Sequence, residues 1–212
     1  MKYKLLSETI NVFGITLFRI EAIISFGSIT AGDKGGFVQN ESNLSQYGDA
    51  WVYDDARVYD DARVSGNARV SGNARVSGNA RVSGNAWVYG NARVYNDAQV
   101  SGNAWVSGNA RVSGNAWVYD NAQVYDNARV YNDARVYGNA IIKLKGHSNC
   151  KTYLTIGPIG SNRFITLEKE HKIINAGCFS GTIEEFEKAV KEKYGDESDY
   201  YPVIDFLKSI NK

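Results

Sequence analysis

From position 50 onward the chain places an alanine at every sixth residue, from Ala50 through Ala56 and Ala62 to Ala140. A valine follows two positions later, from Val52 to Val136, and Ile142 ends the series. Between them stands Arg, Trp or Gln. After the valine come Tyr or Ser and a pair drawn from Gly, Asp and Asn. The stretch RVSGNARVSGNARVSGNA, Arg63 to Ala80, is one such unit written three times. Six residues turn an α-helix by about 600°, so the valines would wind round the cylinder and no amphipathic face would form. Apolar, outward, apolar is instead the alternation of a short strand. The pair that follows is turn chemistry able to take positive φ. Each unit predicts one strand and one corner, and three units close into a triangular coil. The pattern therefore predicts a mainly β fold, a single-stranded parallel β-solenoid. Its sixteen alanine-marked units make about five coils, a rod of roughly 25 Å at the usual strand spacing.

A branched aliphatic at the first position of each unit and a small residue at the fifth resembles the hexapeptide-repeat, left-handed β-helix family; the handedness is implied by that resemblance. The flanks extend it. AGDKGGFVQNESNLSQYGDAWVYDDARV before the repeats, and GPIGSNR and GCFSGTIEEFEKAVKEKYGD after them, resemble a group of phage and prophage hexapeptide-repeat proteins. These share a C-terminal module of the form GPIGS…GCFxGTxEEFE. The resemblance implies a fold and a phage-type setting, hence host cytoplasm, and supplies no reaction.

A solenoid has open edges that need covering. Residues 1–48 are read as an N-terminal β cap, with ITLFRIEAIISF as a strand or hairpin and GDKGG as a turn. Residues 49–142 are the hexapeptide-repeat solenoid, and 143–212 a small C-terminal α+β module. In that module KTYLTI and RFITLEK read as strands joined by GPIGSN, and HKIINAGCF as a third. Thr182 and Glu185 form a capping box opening a helix to about Tyr194, stopped by Gly195. A second helix fits Pro202 to Ile210.

At a period of eighteen the outward residues form columns: Arg57, Arg75, Arg93, Arg111, Arg129; Trp51, Arg69, Trp87, Trp105, Gln123, Ile141; and Arg63, Arg81, Gln99, Trp117, Arg135. Stacked guanidinium groups about 4.8 Å apart repel by roughly 1 kcal/mol per neighbouring pair in water. Residues 65–95 carry four Arg and no acid. One reading is an anion groove, with Arg75, Arg93 and Arg111 pairing phosphates and Tyr89 or Tyr95 stacking on a base. The other is plain: arginine is a good solubilising outward residue, and a repeat duplicates whatever it contains. The plain reading has the stronger claim from sequence. Trp51, Trp87, Trp105 and Trp117 are candidates for an interface. The asparagines Asn67, Asn85, Asn103, Asn121 and Asn139 are read as a structural amide ladder.

The net charge of +1 is spread evenly, which excludes a dedicated nucleic-acid surface. The two cysteines, Cys150 and Cys178, are too few for a disulfide framework, so a cytoplasmic protein is expected. The most apolar early stretch is interrupted by Arg19 and Glu21, and no membrane span is expected. No cofactor or metal is expected. Acyltransferases and carbonic-anhydrase-like enzymes of the resembled family use histidines beside the coils, whereas Ala50–Ala140 contains none. His147, His171 and Cys178 are the remaining candidates for catalysis, and nothing places them together. GPIGSNR with Arg163 offers a weak phosphate loop, for which a plain hairpin turn is the stronger reading. These observations lead to a non-catalytic binding or scaffold protein, expected to be a homo-oligomer, with an anionic small molecule such as a nucleotide or a protein as partner. Its alternative is sequestration of a nucleotide signal. An acyltransferase-like enzyme ranks below both.

Overall fold

The computed structural model describes residues 1–131, 135–138, 141–144, 153–159, 163–168, 173–176 and 179–210. The chain divides into two compact units, Met1–Gly138 and Asn139–Lys212.

In the first unit each repeat forms a short strand that starts with the outward residue and its valine, two residues long as in Arg75–Val76 and Trp87–Val88, and extended among the described residues only at Gln123–Asp126. Strands eighteen residues apart pair in parallel, so Arg57, Arg75, Arg93, Arg111 and Arg129 share one register. The other two columns stack in the same way, Trp51–Arg69–Trp87–Trp105–Gln123 and Arg63–Arg81–Gln99–Trp117–Arg135. The interior is the valine column beside the alanine column. Both are sealed from solvent, for example Val88, Ala92, Val94 and Ala98 at 0 % exposure. Alanine is needed next to the corner because a larger side chain would have no room inside so narrow a coil.

The corners are held twice. Main-chain bonds run along the rod, such as Asn85 N–H donating to the Gly102 carbonyl at 2.7 Å. The amide ladder then runs outside them: Asn67 Nδ2 donates to Asn85 Oδ1 at 3.1 Å, Asn85 to Asn103 at 3.0 Å, and Asn103 to Asn121 at 3.0 Å. Asn139 lies outside the described residues. The first corner position takes positive φ whether it is glycine or not, as at Gly66, Asp54, Asp60 and Asp120. There the aspartates bond the next coil: Asp54 Oδ2 accepts the Gly72 N–H at 2.9 Å and Asp60 Oδ2 the Gly78 N–H at 3.0 Å.

The solenoid starts earlier than the alanine register. Strand β3 (Lys34–Val38) pairs in parallel with Arg57–Val58, and Leu44 bridges Val64, so the parallel solenoid has about six turns and not about five. Val38 and Val58, like Leu44 and Val64, are twenty residues apart instead of eighteen. The two extra residues fall between Leu44 and Val52, which hid this coil from the six-residue count. Residues 34–36 of GDKGG accordingly belong to β3 and not to a turn.

Ahead of it, β1 (Tyr3–Val12) and β2 (Ile15–Ala22) form an antiparallel hairpin, and β2 pairs with β3. The hairpin thus extends one face of the solenoid. Arg19 clasps it to the first coil. Its Nε donates to Glu8 Oε1 at 2.6 Å, and one terminal nitrogen donates to the carbonyls of Gly35 and Asp54 at 2.8 and 3.2 Å. Its guanidinium also lies 4.2 Å from the Phe37 ring centre. With Lys34, Arg19 holds the Glu8 carboxyl below its ordinary pKa. At the other end of the hairpin Lys2 is only 3 % exposed, its Nζ donating to the carbonyls of Gly48 and Ala50 at 3.1 and 2.8 Å. Burial lowers its pKa to about 8, against the opposing pull of Asp49. Asn43, fully buried, closes the first coil. Its Nδ2 donates to the carbonyls of Asp60 and Ala62, both at 2.9 Å, while its Oδ1 accepts from the Gln39 and Asn40 amides.

The second unit contains a four-stranded antiparallel sheet in chain order, Tyr153–Ile159, Arg163–Glu168, Ile173–Ala176 and Phe179–Gly181. The segment HKIINAGCF therefore yields a strand, then the start of another. Gly157–Ile159 of GPIGSN belong to the first strand, an edge strand, where a proline such as Pro158 is tolerated. Helix α1 (Ile183–Tyr194) opens on the expected capping box: the Thr182 amide donates to Glu185 Oε2 at 2.8 Å and the Glu185 amide to Thr182 Oγ1 at 3.2 Å. It stops at Gly195, whose amide donates to the Lys191 carbonyl. Helix α2 spans Tyr201–Ile210. Ile183, Phe186 and Val190 form the buried stripe of α1 and pack with Ile165, Leu167, Ile174, Ile204 and Leu207. Among the described residues no helix is long and apolar enough to cross a membrane.

Candidate functional site

The parallel register decides what the outward columns can do, because it sets each residue beside its counterpart one coil away. On the arginine face Arg75, Arg93 and Arg111 line one open cavity of about 280 Å³ together with Tyr59, Tyr95 and Phe13. Among the described residues none of these three arginines has an ion-pair partner. The contrast with Arg19, spent on Glu8 and two carbonyls, is chemical: the three guanidinium forks keep their donors free for a ligand. Asp60 also borders the cavity, but its Oδ2 accepts the Gly78 amide.

Phe13 was not legible as a site residue. It sits at the tip of the β1–β2 hairpin, where Phe13 and Gly14 are the two loop residues between the paired Val12 and Ile15. Both have positive φ, 52° and 87°, the twist that a two-residue hairpin loop demands. Asn11 Oδ1 accepts the Gly14 amide at 2.9 Å and fixes the loop. A phenylalanine pays roughly 1–2 kcal/mol for that conformation, and it stays 88 % exposed. The NVFG segment carries the hairpin signal; that its tip meets the arginine column follows from the pairing of β2 with β3 and of β3 with Arg57–Val58.

Of the expected stacking residues Tyr95 joins the cavity, whereas Tyr89 stands on a different face, edge-on to Trp87 with ring centres 5.9 Å apart. Arg163 opens its strand in the second unit, and its side chain lies outside the described residues. His147, His171 and Cys178 lie outside them as well.

The four tryptophans do not make one surface. Trp51, expected in an interface, is 1 % exposed, because the cap covers it: Tyr3 and Phe26 pack edge-on against it at 6.1 and 5.4 Å. Trp87 and Trp105 are exposed side by side on one face, 5.7 Å between ring centres. Trp117 is exposed on the third face, beside Tyr119 at 6.4 Å and under the Arg135 guanidinium at 5.7 Å; Tyr119 in turn stacks on Tyr137 at 5.4 Å. Among the described residues no three His, Cys, Asp or Glu side chains gather as a metal would require.

Compared with known families, five stretches of the chain, residues 62–76, 74–90, 86–102, 104–120 and 122–138, match the model described as the YdcK beta solenoid repeat. The match falls wholly within the coils and agrees with their register. No curated protein matches the chain.

Proposed function

We propose that this solenoid repeat protein is a non-catalytic binding scaffold whose arginine face captures an anionic small molecule, of which a nucleotide has the right chemistry. The observation that carries the reading is the set of three guanidinium groups, Arg75, Arg93 and Arg111, in register on successive coils, without ion pairs among the described residues, and bordered by Phe13, Tyr59 and Tyr95. Like charges one strand apart repel, and a phosphate between them converts that repulsion into charge-assisted hydrogen bonds. The aromatic side chains supply a stacking surface for a base. The rigid coils supply preorganisation, since the arginines are already spaced before the ligand arrives. A homo-oligomer and the phage-type setting implied by the sequence resemblance belong to the same proposal, and sequestration of a nucleotide signal is its natural physiological form.

The test is native mass spectrometry of the full chain taken gently from cells, followed by calorimetric titration with nucleoside mono-, di- and triphosphates and with inorganic phosphate. A stoichiometric adduct of nucleotide mass is expected, and the same spectrum reads the oligomeric state. Arg93→Gln should weaken binding by about tenfold to a hundredfold, as expected for one lost charge-assisted hydrogen bond. Phe13→Ala should weaken nucleotide binding and leave inorganic phosphate unaffected. A ligand-free protein that binds neither nucleotide nor phosphate would overturn the proposal.

A further inference from the structure

A second groove lies on a different face and, unlike the arginine groove, carries no net charge. It encloses about 410 Å³, within the range of small-ligand sites. Its floor is the Trp87–Trp105 pair, the rings tilted by 40° and the residues 37 % and 43 % exposed. The asparagine ladder forms one wall through Asn67 and Asn85. Two charges border the groove, the Arg69 guanidinium and the Asp49 carboxylate, and they cancel. Arg69 already lies over the Trp87 ring, 5.5 Å from its centre.

The ladder amides are half used. Asn85 Nδ2 donates once, to Asn103, and its Oδ1 accepts once, from Asn67. A primary amide has two N–H donors and two lone pairs, so Asn67 and Asn85, the two rungs that line the groove, each keep a donor and an acceptor for an outside partner. An occupant that fits must be uncharged, offer apolar faces to two indole rings, and both give and take hydrogen bonds at its edge. A phosphate-bearing ligand is disfavoured by Asp49, and a purely apolar surface would leave the amides unpaired at a cost. A sugar ring has the required combination: its axial C–H groups form an apolar face and its equatorial hydroxyls serve as both donors and acceptors. The indole pair is spaced on the scale of consecutive sugar residues.

We infer that the Trp87–Trp105 groove is a binding site for a neutral oligosaccharide, with Trp87 and Trp105 as stacking platforms and Asn67, Asn85 and Asp49 as hydroxyl partners. This inference stands on a face, a charge balance and residues separate from those of the arginine groove.

The experiment is titration of the full chain with short neutral oligomers of glucose and of N-acetylglucosamine, followed by tryptophan fluorescence and by calorimetry, with sedimentation velocity alongside. A saturable signal is expected for at least one series. Trp105→Ala should lose about tenfold or more in affinity, whereas Trp117→Ala, on another face, and Arg93→Gln should leave it unchanged. Circular dichroism should confirm that each variant stays folded. Two results would overturn the inference: no saturable signal with either series, or dimers of wild type that Trp105→Ala dissociates and sugars leave intact, which would assign the groove to a second copy of the chain.

Discussion

Replacing Gly84 by alanine tests how the corners are held. Gly84 has φ of +66°, and a Cβ built there would lie 2.9 Å from both the amide nitrogen and the carbonyl oxygen of Gly102. The backbone conformation alone costs an L-residue about 1–2 kcal/mol. The contacts add to that, because both atoms are main chain and the same carbonyl accepts the Asn85 amide at 2.7 Å. Gly84→Asp meets the same backbone penalty yet gains a partner. At Asp54, in the equivalent corner position, the carboxylate accepts the amide of the next coil at 2.9 Å. Such a bond returns about 1 kcal/mol. Urea unfolding followed by far-ultraviolet circular dichroism and by tryptophan fluorescence should therefore rank wild type above Gly84→Asp and Gly84→Asp above Gly84→Ala. In thermal melts each kcal/mol should appear as roughly 2–4 °C for a domain of this size. Trp87 follows Gly84 on the same coil and Trp105 follows Gly102 on the next, so their fluorescence reports the local loss that nearest-neighbour coupling in a solenoid demands. Equal stability of wild type and Gly84→Ala would refute the claim that the corner is fixed in the left-handed region. An aspartate as harmful as alanine would refute the stabilising role of the carboxylate-to-amide bond.

Two other outcomes test the cap. Burial lowers the Lys2 pKa from 10.5 to about 8, so above pH 8 the unfolded chain binds more protons at this residue than the folded one, and stability from this group rises with pH between about 8 and 10.5. The denaturation midpoint of wild type should climb from pH 7.5 to 9.5 relative to that of Lys2→Met; parallel pH profiles would rule the effect out. Arg19→Ala removes the clasp between hairpin and first coil and should cost about 2 kcal/mol, the scale of hydrogen bonds to a charged group. Hydrogen exchange should show the loss concentrated in β1–β3 of unit Met1–Gly138, and protection unchanged there would count against the clasp.

The candidate groove was half legible. The column Arg75, Arg93, Arg111 could be written down from a period of eighteen, since the repeat never slips between Ala50 and Ala128, and Tyr95 could be named with it. Tyr89 follows Trp87 and Tyr95 follows Arg93, so the same period already set them in different columns; what it left open was which of the two corners flanking the arginine face leans onto it, and the structure places Tyr95 there. Trp51 misled for a related reason. In the repeat it reads as one more outward residue, but the coil that carries it is the one the hairpin covers.

What the sequence determined alone is the coil itself. A six-residue period is incompatible with a helix face, alanine and valine two apart make a strand with two inward residues, and a Gly, Asp or Asn pair makes the corner, so each coil follows from local chemistry repeated without interruption. The capping box at Thr182 and the stop at Gly195 are local in the same sense. Only the tertiary structure decided where the solenoid begins, which tryptophan is buried, and that Phe13 meets the arginine column. Each of these depends on pairing between residues far apart in the chain, β2 with β3 and β3 with the strand at Arg57, and long-range pairing is set by the burial of whole faces rather than by the identity of any short segment.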